Sequence, residues 1–109
     1  MKRILFQTGG PWHPLQEQAA LIQSWLPTEW RIETAFGAEV FDRLDGADLY
    51  VAAAIHRPEL EDTPLPAEAW TLAGIPAYGY TRPTEAQKDA FRRYVAAGRP
   101  LLAFHGGIV

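Results

Sequence analysis

Four short strand-like segments recur along the chain, and two of the stretches between them have the spacing of amphipathic helices. The segments lie at 4–8, 30–34, 49–55 and 101–104. Strands that alternate with helices predict an α/β fold with a parallel sheet, because parallel neighbours need a crossover connection. We therefore expect a flavodoxin-like sheet of order 2-1-3-4-5, with helices on both faces and the 30–34 strand at an edge.

The first helix is predicted to begin at Pro14 and to end at Pro27. Its apolar residues, Leu15, Ala19, Ile22 and Leu26, follow one another at steps of four and three, which places them on one helix face. Proline is well tolerated in the first helical position, where its missing N–H costs nothing. A shorter segment, 41–44, predicts at most one helical turn, closed by Asp45-Gly46.

The second helix is predicted to begin after Thr84. Thr84 and Gln87 have the spacing of a capping box, in which each side chain bonds the backbone N–H of the other. Gly98 is expected to end the helix. The expected apolar stripe consists of Ala90, Phe91, Tyr94 and Val95. The proline-rich segment 57–83 between strand three and this helix predicts a long irregular connection, either a functional lid or a poorly ordered loop.

Composition places limits on the class of protein. The 109 residues suffice for one domain, and a hydrophobic fraction of 48% is typical of a packed core. A net charge of −3 without a Lys/Arg run gives no reason to expect a nucleic-acid partner. No apolar stretch approaches the ~20 residues of a membrane span, so a cytoplasmic location is the default expectation. The chain has no cysteine, which excludes a thiolate nucleophile.

All three histidines come just after predicted strands. In open α/β sheets, residues past the carboxyl ends of the strands line the ligand crevice. We interpret His13 and His105 as candidate catalytic residues, with no metal or cofactor assigned. The candidate ligand-binding residues are the other histidine and neighbours of the first and last: Gly9, Gly10, Trp12, His56, Gly106 and Gly107.

Each histidine also has a simpler interpretation. His13 suits a helix cap, His56 an exposed loop, and His105 a hydrogen bond that holds its turn. A zinc site formed by all three is the weaker alternative, because their spacing matches no local metal motif. Paired glycines such as Gly9-Gly10 also occur in tight turns without any ligand.

Three stretches together resemble the ThuA-like (trehalose utilisation) family: Ile4 to Gly10 with His13 close behind, Leu44 to Val51, and Thr84 to Gly107. The resemblance implies the class I glutamine amidotransferase-like fold and a role connected with sugars. Members of the family are commonly about twice as long. We therefore expect residues 1–109 to be the N-terminal part of a single ThuA-like domain, with the sheet incomplete at the C-terminus.

The same resemblance constrains the chemistry. Where amidotransferases carry a Gly-x-Cys-x-Gly turn, this chain has Ala103 to Gly107 with His105 at the cysteine position, so it is not a glutaminase. We expect it to bind or act on a carbohydrate or related small polar metabolite, by histidine-dependent hydrolase or lyase chemistry if it is an enzyme. The alternative is a non-catalytic binding or assembly module of the same fold without the cysteine nucleophile. Under either function, a second copy of the chain is a candidate partner, in a homodimer formed through the uncovered face of strands three and four.

Overall fold

The computed structural model describes residues 1–9, 15–54 and 82–104. Their strands and helices follow the predicted alternation and form one sheet with helices against it. The elements in chain order are β1 (Lys2–Thr8), α1 (Leu15–Trp25), β2 (Trp30–Phe36), a 3₁₀ helix (Gly37–Arg43), β3 (Leu49–Ala52), α2 (Glu85–Ala96) and β4 (Leu101–Ala103).

The four strands form one all-parallel sheet in the order β2-β1-β3-β4. Ile4 of β1, which lies between β2 and β3, is paired with Ile32 on one side and with Leu49 on the other. Tyr50 is paired with Leu101, which places β4 at the second edge. The predicted α/β, flavodoxin-like fold is therefore confirmed, including the edge position of β2.

One face of the sheet packs against α1. Successive residues of a strand point to opposite faces, and Ile4 and Phe6 of β1 share this face. Leu15 and Ala19 of α1 are buried against them, with Ile22 and Leu26 packed alongside. These four residues, of which Leu26 directly follows the end of α1, are those that the predicted spacing placed on one face, and their packing on that face is confirmed.

The opposite face packs against the 3₁₀ helix and α2. Its core contains Leu5, Val40 and Leu44, none of them more than 1% exposed. Beside them, the rings of Phe41, Tyr50, Phe91 and Tyr94 meet edge to face at centroid distances of 5.9–6.3 Å. Edge-to-face geometry is the favoured arrangement for aromatic rings, so this cluster fixes how α2 lies on β3.

The ends of α2 are formed as the sequence predicts. Thr84 Oγ1 accepts from the Gln87 N–H at 3.1 Å, and Gln87 Oε1 accepts from the Thr84 N–H at 2.8 Å. The Gln87 side chain also donates to Asp42 Oδ2 at 3.1 Å, which links the start of α2 to the 3₁₀ helix. The helix ends at Ala96, two residues before Gly98.

Arg3 connects the start of the sheet to the end of the 3₁₀ helix. Its guanidinium group donates to the Glu33 carboxylate, to the Asp45 carbonyl at 3.0 Å and to the Arg43 carbonyl at 3.0 Å. The turn beneath it requires Gly46, whose φ of 82° is one that other residues rarely adopt. The hydrogen bonds of the Arg3 guanidinium group therefore hold the turn that aligns β3 beside β1.

Several predicted boundaries need correction, among them the start of β1, which is Lys2 rather than Ile4, and the end of β4, which is Ala103 rather than Phe104. The helical segment expected at 41–44 is a seven-residue 3₁₀ helix, Gly37–Arg43, because Val40 as well as Leu44 contributes to the core. β2 extends to Phe36 rather than 34, since buried Ala35 continues its pairing with β1. β3 ends at Ala52, earlier than the apolar run that continues to 55.

The apolar run Leu101 to Phe104 is typical of a buried parallel strand, and that prediction is wrong. Leu101, Leu102 and Phe104 are 45%, 47% and 38% exposed. The reason is position, because β4 is an edge strand and α1 packs over β1 and β2, at the other end of the sheet. The expectation of an uncovered sheet face holds for β4 but not for β3, where Val51 is buried on the α1 side. Val95 of α2, predicted in the apolar stripe, is also exposed.

Replacement of Arg3 by lysine tests how much the hydrogen bonds of its guanidinium group contribute to stability. A lysine ammonium cannot reproduce the planar set of donors, so we expect Arg3→Lys to lower the free energy of unfolding by about 1–3 kcal/mol in urea denaturation. Arg31→Lys, the same change at the exposed neighbouring position on β2, serves as the matched control. Equal stability of the two variants would contradict the role assigned to Arg3.

Candidate functional site

The strand order reverses direction at β1. From β1 the chain crosses to β2 on one side and then returns to β3 on the other. The connection after β1 leads to α1 on one face, and α2 on the opposite face leads into β4. In open α/β sheets such a switch point opens a crevice at the carboxyl ends of the strands, which is where ligands bind. The candidate site is therefore the carboxyl edge between β1 and β3.

Thr8 and Gly9 form the described end of β1 at this edge. Gly9 has a φ of 128°, a backbone conformation that side-chain-bearing residues rarely adopt, so the chain can turn sharply as it leaves the strand. Thr8 is buried, and its hydroxyl donates to the Ala35 carbonyl of β2 at 3.4 Å. Gly9 thus lies where the sequence placed it, directly after β1.

A hydrogen-bonded pair under this edge was not singled out from the sequence. The Tyr50 hydroxyl donates to Gln7 Oε1 at 2.7 Å, and Gln7 Nε2 donates to the Gly37 carbonyl at 2.9 Å. Gln7 therefore joins three elements: β1, β3 and the start of the 3₁₀ helix. The only signal in the sequence is a glutamine where the strand pattern would accept an apolar residue, which is too weak to identify a partner.

Burial determines the protonation state of the Tyr50 hydroxyl. Loss of solvent raises the pKa of its hydroxyl far above the ordinary value, with the neighbouring Tyr94 hydroxyl adding to the effect. The phenol therefore stays protonated and serves as a hydrogen-bond donor to Gln7. It has no role as a proton-accepting base at neutral pH.

The remaining site residues predicted from the sequence lie outside the described residues. They are Gly10, Trp12, His13, His56, His105, Gly106 and Gly107. The described chain does continue past the strand ends that precede them, as far as Gly9, Ala54 and Phe104. These ends belong to β1, β3 and β4, three consecutive strands of the sheet. The order of the strands is as predicted, and the roles of the seven residues stay predictions.

Charged groups lie at the amino ends of the strands, opposite the candidate site, and their contacts are structural. Asp48 accepts from the Arg3 backbone N–H at 2.8 Å, and this hydrogen bond lowers the pKa of the Asp48 carboxyl below its ordinary value. The Asp48 N–H in turn donates to the Arg3 carbonyl at 2.8 Å. The pair aligns β3 with β1 and lies at the end of the strands away from the candidate site.

No helix within 1–9, 15–54 and 82–104 is long and apolar enough to cross a membrane. The same ranges contain no group of three or more side chains that could hold a metal ion. They also contain no histidine, so this result does not test a zinc site formed by the three histidines.

Comparison of the chain with models of known families, with curated proteins and with solved structures finds no match.

A double-mutant cycle measures the hydrogen bond beneath the candidate site. Tyr50→Phe leaves Gln7 Oε1 without its donor, and we expect it to lower the free energy of unfolding by about 1–3 kcal/mol. Gln7→Leu removes the acceptor, so adding Tyr50→Phe to it should cost less than Tyr50→Phe does alone. Urea denaturation of the wild type, both single variants and the double variant gives the coupling. Strictly additive losses would show that this bond contributes nothing.

Proposed function

We propose that the chain is a ThuA-like domain that binds or acts on a carbohydrate or a related small polar metabolite. The observation that carries the proposal is the strand order, which makes β1, β3 and β4 consecutive. Their carboxyl ends therefore share one edge, and His13, His56 and His105 follow those ends in the sequence. Residues from separate parts of the chain can then converge on one ligand.

The role proposed for each site residue follows from the chemistry of that residue. Gly9 and Gly10 shape the floor of the crevice, since glycine permits a close approach between backbone and ligand. His13 and His105 contact ligand hydroxyls, because a neutral imidazole both donates and accepts hydrogen bonds. The ring of Trp12 offers an apolar surface with a polar edge, which suits a sugar.

If the domain catalyses a reaction, histidine acid–base chemistry is the proposed mechanism. An unperturbed imidazole has a pKa of about 6.5 and can take up or release a proton near neutral pH. No cysteine is present to act as nucleophile. A histidine-dependent hydrolase or lyase acting on a sugar derivative is therefore the favoured kind of enzyme.

Histidine variants test the proposal, with trehalose and a panel of simple sugars as probes. Loss of a ligand hydrogen bond costs about 1–3 kcal/mol, so His13→Ala and His105→Ala should each weaken binding by roughly 5- to 150-fold in titration calorimetry. Arg31→Ala, at an exposed position on β2, is the control and should bind as the wild type does. Circular dichroism verifies that every variant is folded.

The outcomes of this titration separate the interpretations. If the wild type converts a sugar and the histidine variants bind it more weakly and no longer convert it, the protein is an enzyme. If the variants change affinity but even the wild type converts no sugar, the protein is a binding domain. A folded wild-type chain that binds none of the sugars at millimolar concentration would overturn the carbohydrate proposal. Variants with unaltered affinity would overturn the roles proposed for the two histidines.

The alternative is a non-catalytic assembly module, and the exposure of β4 favours it. Leu101 points to the α2 side and Leu102 to the α1 side, so apolar surface is exposed on both faces of this edge. An exposed apolar edge strand is a site at which chains associate. Under this alternative a second copy pairs with β4 and covers it.

Sedimentation equilibrium tests the alternative directly. An assembly module should form a stable dimer, and Leu102→Lys, which places a charge at the edge, should convert the dimer to monomer. Leu21→Lys, at an exposed position on α1, should leave the dimer intact. A wild-type chain that stays monomeric throughout the concentration range would exclude the dimer.

A further inference from the structure

No further inference is drawn: the strongest candidate beyond the β4 edge, the exposed pair Leu21 and Trp25 one turn apart on the solvent side of α1, is an apolar patch, and nothing in the structure shows what covers it.

Discussion

The central position of β1 is the constraint on which the rest of the structure depends. This strand is paired along its whole length with β2 on one side and from Ile4 to Gln7 with β3 on the other. Its side chains alternate between the two cores, with Leu5 on the α2 face and Phe6 on the α1 face, both fully buried. A one-residue shift in its register would exchange these side chains between the faces, so the alternation determines the pairing. Both helical layers and the reversal of strand order follow from this placement.

Arg3 and Gln7 stabilise the two ends of the same strand. At the amino end, Arg3 binds the turn before β3 through its backbone and its guanidinium group. Towards the carboxyl end, Gln7 binds Tyr50 of β3 and Gly37 after β2. A strand held at both ends gives the loop that begins at Gly9 a fixed starting point. Precise positioning of this kind is what a ligand site at a strand terminus requires.

Local patterns in the sequence predicted much of the fold. Three of these patterns depend only on neighbours in the sequence: the four-and-three spacing in α1, the capping box at Thr84 and the glycine after α2. The structure shows the packed helix face, the capping box and the helix end that they predicted. The exposure of β4 could not be predicted from such local patterns, although the expected strand order left one of its faces uncovered. Leu101, Leu102 and Phe104 have the composition of an interior strand, but burial depends on which elements pack against them in three dimensions. The contacts of Arg3 and Gln7 span about 30 residues or more of sequence and left no pattern to detect.

The candidate site was predicted in its location rather than in its detail. Apolar runs followed by histidines indicated strand ends, and the sheet topology makes those ends consecutive. The sequence alone could not name the Gln7–Tyr50 pair beneath the site, because each residue is unremarkable in its own strand. The central claim is thus that β4 lies beside β3, so that β1, β3 and β4 end at one edge. Nuclear Overhauser contacts between backbone protons in an isotope-labelled sample test it most directly. The structure predicts contacts of Val51 with Leu102 and of Ile4 with Leu49, in a parallel pattern. Contacts that place β4 beside β2, or an antiparallel pattern for β3 and β4, would contradict it.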